Sequence, residues 1–95
     1  MQIDSIRHRA LRRFAETGLT KGLPSGSVDQ LRRMLAYIDA IDAAEELRVP
    51  PNYGAHQLTG DRKGEWALTV TRNWRMTFRI NAVGAVEDMD LEDYH

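Results

Sequence analysis

Apolar residues recur at helical spacing along the first half of the chain. Ile6, Ala10, Leu11 and Phe14 form one series, with Arg7, Arg9, Arg12 and Arg13 mainly between them, so a helix is expected to begin after Asp4 or Ser5. Gly18 offers a left-handed end to that helix, and Leu19–Gly26, containing Gly22, Pro24 and Gly26, reads as a loop. Ser27, followed three residues later by Gln30, has the form of a capping box. Val28, Leu31, Leu35, Ile38 and Ile41 then make a single stripe, predicting an amphipathic helix over Val28–Ala40. A short helical turn is expected at Ala43–Leu47, before Val49-Pro50-Pro51-Asn52 breaks the chain.

The second half changes period. Trp66, Leu68 and Val70 alternate with Glu65, Ala67, Thr69 and Thr71, and Trp74, Met76, Phe78 and Ile80 alternate with Arg75, Thr77 and Arg79. Both are half-buried strand patterns, and the short Arg72-Asn73 connection between them predicts a hairpin. A short strand is expected at His56–Thr59, a turn at Asn81–Gly84, a last strand around Val86–Leu91 and an initial one at Gln2–Asp4. Helices followed by strands predict an α+β domain, two N-terminal helices packed on one face of a small, mainly antiparallel β-sheet. The apolar sheet face must meet the helices. The opposite face carries Arg75, Arg79, Thr69, Thr71 and Thr77, with guanidinium groups fixed on strands in a way that suits phosphate recognition.

Ninety-five residues, 42% hydrophobic and 28% charged, form one soluble domain over 1–95, with no repeats or linker. There is no cysteine, which excludes disulfides and thiolate metal sites. Arg7, Arg9, Arg12 and Arg13 interrupt any apolar signal core, and no apolar run approaches the roughly 20 residues of a membrane helix. A cytoplasmic location and no membrane contact are expected. The net charge of −1 conceals segregated signs. Between Arg62 and Arg79 five bases accompany only Glu65, whereas the chain from Gly84 onward holds five acids and no Lys or Arg. Such a layout suits a basic face meeting a polyanion, and also suits helix faces that are simply solvated.

Individual candidates are weak when taken alone. His56 reads as a surface histidine beside a strand, His95 as a terminal residue, and His8 as solvated charge among arginines. No histidine pair has metal-ligand spacing, and no phosphate-binding glycine loop occurs, so no cofactor is expected. Trp66 and Trp74 fall on the core face and read as core. Together, however, two histidines, a tyrosine, an acid and a basic sheet face make a workable inventory for cutting RNA without a metal. The 2′-hydroxyl is an internal nucleophile, imidazole titrates near working pH, and arginine stabilises developing charge.

The stretches "RHRALRRFAETG" at 7–18, "HQLTGDRKGEWALTVTRNWRMTFRI" at 56–80 and the closing "LEDYH" resemble the HigB-like branch of the RelE superfamily of bacterial toxins. The most specific parts are Leu58–Asp61, Gly64–Trp66, Asn73–Arg75 and the final Asp93-Tyr94-His95. The resemblance implies the toxin of a type II toxin–antitoxin pair, a ribosome-dependent endonuclease that cuts mRNA in the ribosomal A site. It implies inhibition by a helix-turn-helix antitoxin, with operator DNA bound only through the antitoxin complex.

Carried over by motif, the implied catalytic set is His56, Arg75, Asp93, Tyr94 and His95. Arg75 would contact the scissile phosphate, His95 and His56 would transfer protons, and Asp93 or Tyr94 would orient them or the 2′-hydroxyl. Arg62, Lys63 and Arg79 are expected to face RNA. One departure is notable: where the family commonly places Lys before the Gly-Asp turn, this chain has Thr59. Arg62 or Lys63 would then supply the charge from the turn, and the acids of the last strand would be buried or paired with Arg75 or Arg79. With His95 as its last residue, the chain is expected to present that imidazole at the site. Two alternatives stand beside the active toxin: a weakly active toxin-like subunit serving as co-repressor with its antitoxin, and a free-standing nucleic-acid-binding domain.

Overall fold

The structure, a computed structural model, describes residues 1–93. Two helices, α1 (Arg9–Thr17) and α2 (Val28–Ala40), precede four strands, β1 (His56–Gln57), β2 (Trp66–Thr69), β3 (Trp74–Ile80) and β4 (Val86–Asp93). The strands lie in the order β1-β2-β3-β4, each antiparallel to its neighbour. The α+β expectation is met, and α2 has the bounds that its apolar stripe predicts.

The helix starts differ from their sequence signals. Residues 2–6 do not coil; they run parallel to β4, with Ile3 bridging Val86 and Ile6 bridging Met89. Backbone bonds from Asp4 N–H to the Val86 carbonyl and from Met89 N–H to the Ser5 carbonyl hold that segment on the sheet. Helix α1 therefore begins later, and His8 is its cap: Nδ1 accepts the Leu11 N–H at 3.2 Å. The expected capping box at Ser27 does not form. Ser27 is fully buried, its backbone already lies in the helical region, and its hydroxyl turns back to donate to the Pro24 carbonyl at 2.6 Å.

The strands also shift at their ends. Strand β1 stops at Gln57 because Gly60, at φ +67°, starts a tight turn over Gly60–Arg62 that lifts the chain off the ladder. The β2–β3 connection spans Val70–Asn73 rather than two residues, since Val70 and Thr71 both donate their N–H to the Trp74 carbonyl. The turn at Asn81–Gly84 forms as expected, with the Asn81 side chain accepting the N–H groups of Val83 and Ala85. Strand β4 runs two residues further than expected, to Asp93.

The inward-facing positions of the strands are buried against the helices, and the centres of β2 and β3 are buried on their outer face as well. Leu11 and Phe14 of α1 and Leu31, Met34 and Ile38 of α2 pack in one core with Trp66, Leu68, Met76, Phe78, Met89 and Leu91. Trp66 is core, as its alternation predicts, with the Arg48 guanidinium 4.8 Å from its ring centre. Among the described residues, no helix is long and apolar enough to cross a membrane.

Candidate active site

Strand alternation sends Thr69, Arg75 and Thr77 to the sheet face away from the helices. The register aligns them into two cross-strand rows. One row holds His56, Ala67, Thr77 and Asp90; the next holds Thr69, Arg75 and Glu92. His56, on the edge strand, thus shares a face with Arg75, two strands and one row away. With strands about 4.8 Å apart and residues of one face about 6.7 Å apart, their backbones are roughly 12 Å from each other. His56 is exposed, and its Nδ1 lies 2.9 Å from the Gly54 carbonyl, so that nitrogen carries the proton of the neutral ring and Nε2 faces outward.

The centre of this face is not bare. Ala67 and Thr77 are only 1% exposed although they point away from the helices. The β1–β2 connection covers them: Arg62, at the end of its tight turn, reaches over β2 and β3 to Glu92 on β4. The Arg62 Nη1 donates to Glu92 Oε1 at 2.8 Å and Nη2 to Oε2, while Nε and Nη2 donate to Glu65 at 2.9 and 3.0 Å. Glu92 also accepts Arg75 Nη2 at 3.2 Å and the Thr77 hydroxyl at 2.7 Å. Glu65 takes a further, longer contact from Arg79 Nη2 at 3.7 Å. Of the acids on the last strand, Glu92 pairs with Arg75 as expected, whereas Arg79 turns to Glu65, which precedes β2, and Arg62 joins the two carboxylates as the hub.

This concentration of donors fixes the protonation states. Hydrogen bonds from Arg62, then from Thr77 and Arg75, outweigh partial burial and hold the Glu92 carboxyl at about 2. Glu65 is lowered as well, chiefly by Arg62, and the Arg62 guanidinium is raised in turn by Glu92 and Glu65. Both carboxylates remain ionised at neutral pH.

Of the other residues expected at the site, Lys63 is exposed in the turn beside Arg62, and its carbonyl accepts Arg79 Nη1 at 3.4 Å. Thr59 is exposed at the start of that turn. Asp93 ends β4 opposite Trp74, one position past the Arg75–Glu92 pair, so Glu92 is the acid directly across from Arg75. Tyr94 and His95 lie outside the described residues. Motif reasoning left Glu92 and Glu65 without a role; their signal was the pairing of opposite charges across strands whose register only the fold supplies. A cleft of about 710 Å³ between residues 2–6 and the helices, lined by Ile3, Arg12, Leu35 and Asp39 among others, contains none of these groups. Among the described residues, no three His, Cys, Asp or Glu side chains gather in a way that could hold a metal ion.

The fold is that of a class of small bacterial toxins. It matches YafQ from E. coli strain BL21(DE3), with a TM-score of 0.57 and 13% identity over 93% of this chain and 91% of that one. It also matches the YoeB/ParE toxin from Agrobacterium tumefaciens, with a TM-score of 0.58 and 14% identity over the whole of both chains. The sequence narrows the class. Residues 4–95 match the model of the family described as "RelE-like toxin of type II toxin-antitoxin system HigB". The endoribonuclease HigB of Proteus vulgaris is 40% identical over 94 residues, 98% of this chain and 99% of that protein. Toxin HigB-1 of Vibrio cholerae serotype O1 is 33% identical over 73 residues, 76% of this chain and 77% of that protein. The chain belongs to the HigB-like family of RelE-type toxins of type II toxin–antitoxin systems.

Proposed function

We propose that this toxin is an endoribonuclease that cleaves mRNA in the ribosomal A site without a metal ion. The observation that carries the reading is the 40% identity, along nearly all of both chains, to a protein named an endoribonuclease. The placement of His56 and Arg75 on one polar sheet face supports it. The bound messenger supplies its own nucleophile. A general base takes the proton of a 2′-hydroxyl, whose oxygen attacks the adjacent phosphorus. The bond from phosphorus to the 5′-oxygen then breaks, and a general acid protonates that oxygen, leaving a cyclic phosphate.

In this reading Arg75 stabilises the charge that builds on the phosphorane oxygens. His56 and His95 are the proton-transfer groups, since imidazole gives and takes protons near neutral pH. Asp93 and Tyr94 orient the imidazole or the 2′-hydroxyl. Lys63 and Arg79 meet flanking phosphates, and Arg62 adds to the positive field. A helix-turn-helix antitoxin holds the toxin inactive in the cytoplasm, and operator DNA is bound through that complex.

The test is induction of the toxin without its antitoxin, with the 5′ ends of cellular transcripts mapped. Growth arrest and cuts at in-frame codon positions are expected, and both disappear in the His95→Ala and Arg75→Ala variants. Cuts unrelated to reading frame would reject ribosome dependence; undiminished cutting by both variants would reject the site.

Two observations favour a second reading, a weakly active subunit that acts chiefly as co-repressor with its antitoxin. Arg62, Arg75 and Arg79 all pair with internal carboxylates, and Thr59 stands where the family commonly has Lys. Absence of arrest on induction, with operator binding by the complex retained, would decide for it.

A further inference from the structure

The sheet face that carries Arg75 also carries a saturated carboxylate. Oε1 of Glu92 accepts Arg62 Nη1 and Arg75 Nη2, and Oε2 accepts Arg62 Nη2 and the Thr77 hydroxyl. Two oxygens have about four acceptor positions, and all are used. Arg62 is equally committed, its Nε, Nη1 and Nη2 all spent on Glu65 and Glu92. The result is a strap from the β1–β2 connection to β4, crossing over Ala67 and Thr77 and ending on Arg75.

A guanidinium fork, a second guanidinium and a hydroxyl are also what would grip a phosphodiester, so Glu92 has two conceivable roles. It could compete with RNA for these donors, or it could hold Arg75 for RNA. The distribution of bonds decides between them. Displacing Glu92 would strip Arg62 Nη1 and Nη2 and the Thr77 hydroxyl of that acceptor in a half-buried position, where an unpaired charge is costly. Arg75, in contrast, gives Glu92 a single Nη2 bond, the longest of the four. Glu92, itself held by Arg62 and Thr77, therefore gives the Arg75 head a fixed anchor at Nη2. A long side chain restrained before the substrate arrives loses less freedom on binding and meets the phosphate already oriented.

The structure assigns Glu92 as a positioning residue that, strapped by Arg62 and Thr77, presents the Arg75 guanidinium to the scissile phosphate. This rests on the reading of the chain as an endoribonuclease with Arg75 as its phosphate ligand. Glu92→Gln keeps the shape but removes the charge that aims Arg75. Thr77→Val removes one tie and leaves every charge in place.

The experiment is cleavage of mRNA on programmed ribosomes by purified full-length variants whose folding has been checked by circular dichroism. Glu92→Gln is expected to lower kcat about 10- to 100-fold with KM changed less than about threefold, and Thr77→Val to lower kcat by about threefold. Added to Arg75→Ala, Glu92→Gln is expected to cost nothing more, because its effect runs through Arg75; a purely structural role would give additive losses. Unchanged or faster cutting by Glu92→Gln, or additivity with Arg75→Ala, would overturn the assignment. If Glu92→Gln does not fold, Thr77→Val and its combination with Arg75→Ala carry the same comparison. A wild-type toxin that cuts nothing overturns the endoribonuclease reading and this inference with it; a cutting wild type with an indifferent Glu92 overturns the inference alone.

Discussion

Arg62 and Glu92, thirty residues apart in sequence, form a two-pronged ion pair across the outer face of β2 and β3. The pair ties the first connection of the sheet to its last strand, and it makes the fold sensitive to acid. Glu92 has its carboxyl held at about 2 against an ordinary 4.5, so the unfolded chain binds the proton first as pH falls. The stabilisation is fully present above about pH 4.5 and is lost as pH drops toward about 2. Thermal midpoints measured through that window should fall more steeply for the wild type than for Glu92→Gln. Parallel profiles would show that the pair contributes nothing to acid sensitivity.

At neutral pH the same substitution should also destabilise. Arg62 would face a neutral amide in a half-buried place, which lies between an exposed pair and a buried one in cost, roughly 1–3 kcal/mol. Urea denaturation of Glu92→Gln and wild type checks this, and equal midpoints would contradict it.

Phe78 is fully buried between the helices and the sheet, in the core with Leu11, Leu31 and Met76. Phe78→Ala should cost about 3–5 kcal/mol, since the transfer term and the unfilled cavity add. That is a large share of the roughly 5–15 kcal/mol of an ordinary domain. Phe78→Leu should lose far less. A urea midpoint for Phe78→Ala within error of the wild type would mean that the core is not packed around this ring.

The periodic parts of the fold were legible in the sequence because one face of each element decides their burial. Helix α2 and the alternation of Trp66–Leu68 and Trp74–Ile80 follow from that alone. What was not legible depended on partners distant in sequence. Ile6 fits a helical stripe, yet it bridges Met89 on β4, carrying on from the stretch where a short initial strand is expected at Gln2–Asp4, and the helix begins only after His8 caps it. Ser27 has the chemistry of a cap, but burial turned its hydroxyl toward Pro24. The motifs pointed to Arg75 and His56, and the register puts them on one face. Glu92 carries no motif and gains its meaning only because β4 lies beside β3 and the Arg62 turn closes over both.

Asp88 is the single non-glycine residue with positive φ among those described, at +56°. It sits in β4 where the β3 pairing slips between Thr77 and Arg79, and its N–H donates to the Ser5 hydroxyl at 2.8 Å. The left-handed backbone there lets the parallel contact of residues 2–6 continue from Val86 to Met89. Asp88→Asn and Asp88→Gly should therefore be nearly neutral, because both residues visit that conformation readily. Asp88→Val should cost about 1–2 kcal/mol through its branched Cβ. Its 3.9 Å contact with Arg7 is exposed and contributes little to the difference. Equal stability of the valine and asparagine variants would show that the irregularity is not strained.

The two residues of the polar face on which the proposed chemistry rests should fail in different ways. Arg75→Ala removes a charge fixed beside the reacting phosphate, and should lower the rate of cutting about 10²–10³-fold. Arg75→Lys keeps the charge but loses the planar fork, and should recover only part of that loss, since lysine cannot make the same directed contacts to phosphate and to Glu92. His56→Ala should lower the rate about 10²–10⁴-fold by removing a proton-transfer group. Its loss should flatten one limb of the pH–rate profile, whereas Arg75→Ala should lower the whole profile without changing its shape. Single-turnover cutting on programmed ribosomes across pH separates the two. A His56→Ala profile that is scaled down but unchanged in shape would remove His56 from the proton-transfer role and leave it as a contact on the edge strand.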